Sequence, residues 1–220
     1  MKRRPKRDDE PASGIRYTVS IYMPVYNQQE LVVRALDSVP RIPEVDIIVC
    51  DDSDDGLTYP VLEKYKDEHP DLKMTLITNN GNVGAGYSIN RCLDLCTGDY
   101  VYGLDNDDYL YTDVFIHALK ELDGSDMVYV SIRSNDGHVW WVTPETKMSL
   151  VAGFTRFIKR SFLGDIRRPT DVWYSDGVIN NVLQALPHTE KFTDLVPYHY
   201  NFPREGSMFW RATHGDTSVR

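Results

Sequence analysis

The chain has 220 residues, enough for one domain with a sizeable core, and its 41% hydrophobic and 26% charged residues are those of an ordinary globular protein. With 33 Asp and Glu against 24 Lys and Arg, overall charge gives no reason to expect nucleic acid as a default partner. No run approaches the roughly 18–20 apolar residues of a membrane span and no signal-peptide core follows the start, while Cys50, Cys92 and Cys96 lack any paired spacing and read as reduced thiols. The expectation is a cytoplasmic protein.

Residues 1–14 carry five basic residues in the first seven, then Asp8, Asp9 and Glu10, with no apolar periodicity. They read as a disordered tail, or in a sharper version as a basic arm for nucleic acid, an acidic partner or a membrane surface. Residues 17–23 (YTVSIYM) are β-branched and aromatic, which predicts a first strand that breaks at Pro24-Val25-Tyr26-Asn27. The spacing of Leu31, Val32, Ala35 and Leu36 predicts a helix over 29–39, stopped before Pro40. A second strand, 45–50, runs directly into Asp51-Asp52-Ser53-Asp54-Asp55-Gly56. A helix over 60–68 and a third strand over 73–78 follow, the latter ending in Asn79-Asn80-Gly81-Asn82. The stretch 80–86 (NGNVGAG, with Asn82 and Gly84) predicts a loop where backbone closely approaches a ligand, opening a helix over 83–96. It lacks the G-K-[ST] of a phosphate P-loop.

The stretch 98–108 (GDYVYGLDNDD) organises this half. Its 100–104 segment is nearly continuous in apolar and aromatic residues, as for a buried parallel strand, and Asp105, Asn106, Asp107 and Asp108 stand at its carboxyl end, where open α/β sheets bind ligands. In extended chain, Asp105 and Asp107 project to the same side. Two converging carboxylates repel, and an all-oxygen pair suits Mg²⁺ or Mn²⁺ completed by phosphate oxygens and water. The alternative is an acidic turn capping a helix over 112–122. An Asp at the second strand end could accept the N–H of a nucleobase or bind a ribose hydroxyl. Strands alternating with helices predict an α/β fold with a doubly wound, mostly parallel sheet flanked by helices.

Four pieces, in order, resemble the nucleotide-sugar-binding half of family 2 glycosyltransferases with the GT-A fold. They are P-V-Y-N (24–27), D-D-S-x-D (51–55), the N-x-G region (80–90, with Asn90-Arg91) and G-D-Y-V-Y-G-L-D-N-D-D (98–108). The acidic loop is one residue shorter than the family's D-D-G-S-x-D, so either Asp51 or Asp52 could meet the base. The resemblance implies a nucleoside held by Asp52, with Asp51 beside it, and by backbone near Pro24, Tyr26 and Asn27. Asn82, Gly84, Asn90, Asp105 and Asn106 would belong to the donor site, with Asp105 and Asp107 on the metal.

In the second half, 126–132 (DMVYVSI) predicts a strand, 138–142 (HVWWV) a strand or an aromatic wall, and 154–163 (FTRFIKRSFL) an amphipathic helix. The stretch 172–180 resembles the acceptor-side run of the family, with Ser175-Asp176 where members carry Glu-Asp. That likeness implies Asp176 as general base of an inverting transfer; the alternative is a helix cap for 177–186. Residues 198–207 resemble the family's late Y-x-Y strand and basic loop, implying His199 as a third metal ligand or Arg204 on the diphosphate; the alternative for His199 is a strand histidine with its hydrogen bonds satisfied. The domain expected is 15–207, divided into a donor half (15–115) and an acceptor half (116–207), with a C-terminal tail over 208–220.

The activity so implied is an inverting, Mn²⁺- or Mg²⁺-dependent transfer from a nucleotide-diphosphate sugar, a UDP-sugar foremost, to an acceptor hydroxyl on a glycan, a protein or a modified nucleic acid. Two alternatives stand beside it: a non-catalytic nucleotide-sugar-binding module of the same fold, and a sugar nucleotidyltransferase. The latter wants a glycine-rich basic loop after the first strand, where this chain has Pro-Val-Tyr-Asn-Gln-Gln.

Overall fold

A computed structural model describes residues 13–150, 152–172, 175–205, 207 and 210. The expectations for residues 1–12 and for the C-terminal tail beyond Trp210 lie outside the described residues.

Four parallel strands form the centre. β1 (Val19–Val25) lies between β2 (Val45–Asp51) and β4 (Tyr100–Gly103), and β3 (Met74–Thr78) flanks β2. Being parallel, they all end at one edge of the sheet, so the polar residues after each strand share that edge. Alternate side chains fill two cores, as a period of two requires. Val19, Ile21, Met23 and Val25 of β1 face one core with Val45, Ile47 and Val49 of β2, while Tyr22, Ile48 and Cys50 face the other. The first core is covered by α1 (Leu31–Asp37), α2 (Thr58–Glu68) and α4 (Thr112–Lys120). The second is covered by α3 (Ala85–Leu95), α5 (Arg160–Leu163) and α6 (Ser175–Ala185). The doubly wound expectation is met.

Beyond β4 the sheet continues through β9 (Arg156–Lys159), β6 (Met127–Tyr129) and β10 (Glu190–Phe192), giving seven strands in the order β10-β6-β9-β4-β1-β2-β3. β9 is antiparallel to both its neighbours. This corrects the helix expected over 154–163: a 3-10 turn (Gly153–Thr155) leads into the strand, and only 160–163 is α-helical. Phe157 and Ile158 enter opposite cores and Arg156 is 1% exposed, so a two-sided buried strand produced an apparently amphipathic run.

A second sheet, in the order β5-β11-β7-β8, packs beside the first. It contains β5 (Tyr109–Leu110), β7 (Ile132–Ser134), β8 (Val139–Trp140) and β11 (Tyr198–Tyr200). The single strand expected over 126–132 is therefore two, and the chain changes sheets between Tyr129 and Ile132. Among the described residues no helix is long and apolar enough to cross a membrane, and Cys50, Cys92 and Cys96 are free and buried.

Candidate active site

The acidic loop after β2 divides its carboxylates among four tasks. Asp55 accepts the N–H groups of Leu57 (2.8 Å) and Thr58 (3.0 Å), closing the first turn of α2. Asp54 accepts Asn27 Nδ2 at 2.9 Å, and the Asn27 N–H donates to Ser53 Oγ at 2.9 Å, so the P-V-Y-N turn is tied to the acidic loop. Tyr26 is 41% exposed above this junction, its hydroxyl 3.5 Å from Asp54, and Pro24 lies within β1 opposite Cys50.

Asp52 faces away from solvent. Its carboxylate accepts Asn79 Nδ2 at 2.7 Å and the N–H groups of Val83 and Gly84, each at 2.9 Å, which holds the 79–84 loop before α3. Gly84 has φ +97, a conformation that L side chains rarely adopt, and its N–H also reaches Asn82 Oδ1 at 3.1 Å. Asp51, by contrast, lines a cleft of about 410 Å³ with Ser53, Asp55, Gly56, Tyr59, Thr78 and Asn80. Burial pushes the Asp51 carboxyl upward, Ser53 pulls it down, and Asp55 and Asp52 add repulsion. Of the two adjacent acids, the geometry leaves Asp51 facing the cleft and commits Asp52 to the loop.

At the end of β4 the three acids also differ. Asp108 is 1% exposed; it accepts Tyr198 Oη at 2.5 Å and the Asn201 N–H at 2.7 Å, and so anchors β11. Its carboxyl lies well above the ordinary range because of burial and the neighbouring Asp107 and Asp105. Asp107 pairs with Arg204, accepting Nη2 at 2.5 Å and Nε at 3.0 Å. Asp105 is half-buried, as is Asn106 between the two acids, and no described residue donates to the Asp105 carboxyl. Burial pushes that group up to about 7, with repulsion from Asp107 and then Asp176 adding to it. None of these acids caps α4, whose N-terminus has no side-chain cap.

Arg168 bonds both Asp176 and Tyr22, and Tyr22 pairs with Gly103 at the end of β4, so α6 brings its first turn to that edge although Asp105 and Asp176 are 71 positions apart in the chain. Asp176 is itself paired: Arg168 Nη1 donates to Oδ1 at 2.5 Å. Sequence reasoning missed Arg168, since an arginine beside Pro169 resembles a solvated loop residue. The stretch 172–180 is described except for residues 173 and 174.

Asn90 and His199 are both engaged with other residues of the chain. Asn90 uses its amide on the main chain of Arg168, donating to its O and accepting its N–H, both at 2.8 Å. His199 projects to the side of β11 opposite Tyr198. It stacks on Tyr109 with ring centroids 4.2 Å apart, and its nitrogens meet Tyr111 Oη and Asn135 Oδ1 at 2.8 Å each. With both ring nitrogens engaged, His199 is not gathered with Asp105 and Asp107, and no cluster of three or more His, Cys, Asp or Glu residues forms among the described residues.

A model of glycosyl transferase family 2 matches residues 20–200. A glycosyl transferase of Escherichia coli (strain K12) named for colanic acid biosynthesis, WcaA, is 26% identical over 212 residues, 91% of this chain and 75% of that protein. The chondroitin synthase of Escherichia coli is 32% identical over 105 residues, 47% of this chain and 15% of the synthase. Among solved structures, residues 1–349 of S. aureus TarS in complex with UDP-GlcNAc superpose with a TM-score of 0.74 at 22% identity, covering 86% of this chain and 60% of that one. The mannosyltransferase PcManGT of Pyrobaculum calidifontis, in complex with GDP-Man and Mn²⁺, gives 0.72 at 22% identity, covering 96% and 64%. The chain thus spans less than two thirds of the solved chains it matches, and shares their GT-A fold. With a family match running from β1 to the end of β11, and the fold in agreement, the chain belongs to glycosyl transferase family 2.

Proposed function

We propose that this chain transfers a sugar, with inversion, from a nucleotide-diphosphate donor to an acceptor hydroxyl, using a divalent cation. The observation that carries the reading is the pair Asp105 and Asp107 after β4 together with Asp176, which Arg168 ties to Tyr22 of β1, the residue paired with Gly103 at the end of β4. A half-buried carboxyl to which no described residue donates, repelled by two others, is a poor structural device and a good receptor for a cation.

Mn²⁺ or Mg²⁺ fits the donor set. Asp105 and Asp107 offer hard oxygens and no imidazole, and a two-carboxylate site leaves the other positions to diphosphate oxygens and water. When bound, the ion supplies charge stabilisation to the departing diphosphate. Arg204, which pairs with Asp107, is proposed to turn to the same diphosphate when the donor binds. Asp51 is the acid proposed to meet the nucleobase in the cleft after β2 and β3, whose lining includes Asn80 and Ser53, the latter bonded by the Asn27 N–H. Asp176 is the proposed general base: the acceptor hydroxyl gives it a proton while its oxygen attacks the anomeric carbon.

A UDP-sugar is the donor proposed, by likeness to TarS, whose solved complexes hold UDP and UDP-GlcNAc. Residues 15–207 act as one domain, with donor and acceptor halves meeting at Asp105, and the free thiols suit the cytoplasm. The test is calorimetric titration of UDP, GDP, CDP and dTDP, with and without Mn²⁺, on the native protein and Asp107→Ala. One nucleotide is expected to bind in a manner that needs both Mn²⁺ and Asp107. Metal-independent binding of every nucleotide, or none at all, would overturn the metal-dependent reading.

A further inference from the structure

Arg168 lies in the loop between α5 and α6, yet its side chain is only 4% exposed. Three elements build its socket. Asn90 of α3 clamps its main chain through both amide atoms. Tyr22 of β1 accepts Nη2–H at its hydroxyl, 3.2 Å away. Gly153 supplies the space: a Cβ there would come within 2.9 Å of Arg168 Nη2 and would collide with Tyr22 Oη. The remaining arm, Nη1, donates to Asp176 Oδ1 at 2.5 Å and lies 3.5 Å from Ser175 Oγ. Asp176 is 38% exposed, and among the described residues no hydrogen bond reaches its Oδ2.

Burying a guanidinium costs more than an apolar residue of the same volume would, so a buried arginine is a weak device for stability alone. This one is held by groups from three elements and delivers its charge to one oxygen of one carboxylate. Burial works against its charge, but Asp176 and Tyr22 hold the guanidinium in its charged form. Its planar fork sets the angle between the Tyr22 and Asp176 bonds, which a single ammonium cannot do.

We propose that Arg168 is the positioning residue of the transfer, occupying Asp176 Oδ1 so that Oδ2 alone faces the acceptor hydroxyl. It takes the orienting role at a base whose neighbour is Ser175, where the resemblance has Glu. The inference rests on Asp176 being the base. In the step it serves, the acceptor oxygen bonds to the anomeric carbon as the bond from that carbon to the diphosphate oxygen breaks. The electron pair leaves with the nucleoside diphosphate, and the hydroxyl proton passes to Asp176 Oδ2. Arg168 touches neither donor nor acceptor.

The experiment uses the full chain with Mn²⁺ and UDP-glucose, UDP-N-acetylglucosamine or GDP-mannose, with water as acceptor and released nucleoside diphosphate counted. Arg168→Lys keeps the charge and loses the fork. Tyr22→Phe removes one hydroxyl, keeps the ring, and decides the matter if the lysine variant does not fold. Both are expected to lower kcat, by up to roughly 100-fold for Arg168→Lys, a loss in the range of a misplaced reacting group. Donor KM and the nucleotide Kd should stay within about twofold, since Arg168 touches no donor atom. A folded Arg168→Lys with unchanged kcat, or one whose loss falls on KM and Kd, overturns the proposal. Asp176→Asn separates the two readings: if it keeps native kcat, the base assignment falls first, whereas if it is inactive while Arg168→Lys and Tyr22→Phe are native-like, only the role of Arg168 falls.

Discussion

The hydroxyl of Tyr198 donates to Asp108 Oδ2 at 2.5 Å, joining β11 to the turn after β4 across 90 residues of chain. The same hydroxyl accepts the Asp105 N–H at 3.2 Å, so the turn that carries Asp105 and Asp107 is held by a residue of the smaller sheet. Tyr198→Phe leaves a buried carboxyl with the Asn201 N–H as its remaining described donor. It is expected to lower unfolding free energy by about 2 kcal/mol, measured by urea denaturation. An unchanged midpoint would mean that Asp108 finds water in place of the hydroxyl.

Asp51 and Asp52 should separate cleanly. Asp52→Ala removes the acceptor of three hydrogen bonds, leaving the Val83 N–H with no other described acceptor, and is expected to cost roughly 2–3 kcal/mol of stability. Asp51→Asn should leave stability within about 0.5 kcal/mol while weakening nucleotide binding about tenfold. Calorimetry and denaturant melts on both variants decide it, and the opposite pattern would return the nucleoside to Asp52.

His199→Phe should leave Mn²⁺ affinity in the presence of nucleotide unchanged, because both ring nitrogens already have partners on Tyr111 and Asn135. A stability loss of about 1 kcal/mol is expected from the two lost hydrogen bonds, offset in part by the retained stacking on Tyr109. A tenfold fall in metal affinity would restore His199 to the metal.

Acid should loosen the edge of the larger sheet through Glu190. Burial pushes this carboxyl up, but hydrogen bonds from Lys147, His188 and Gln184 outweigh it and hold it at about 2, against an ordinary 4.5. A depressed folded value stabilises the protein above the unfolded value and loses that contribution as pH falls through the folded one. Glu190→Gln is therefore expected to cost about 2 kcal/mol at pH 7, with the gap to native closing between about pH 4.5 and pH 2. Thermal melts across that range give the answer, and a gap independent of pH would remove the charge from the explanation.

Much of the donor half was legible, because parallel strands buried on both faces leave continuous apolar runs that stop abruptly at polar residues. β2 ending in Asp51 and β4 ending at Gly103, two residues before Asp105, are of this kind. The acceptor half was less so. Arg156 is a charged residue inside a buried strand, bonded to Asn180 Oδ1 at 2.7 Å, and a partner 24 residues away leaves no local mark. The two-residue strands β5 and β8 owe their existence to the strands beside them, being too short for a pattern. Arg168 had no signal of its own.

The sequence by itself determined the order of strands and helices from β1 to β4, the family, and the acids that stand at the strand ends, since each rests on neighbours within a few residues. Which partner each acid takes was decided by tertiary structure alone. Asp51 and Asp52, or Asp107 and Asp108, are identical in local pattern, and differ because Val83 and Gly84 arrive from far along the chain on Asp52, Arg204 on Asp107 and Tyr198 on Asp108. Hydrogen bonds and ion pairs between distant residues depend on positions in space, and spacing along the chain carries no record of them.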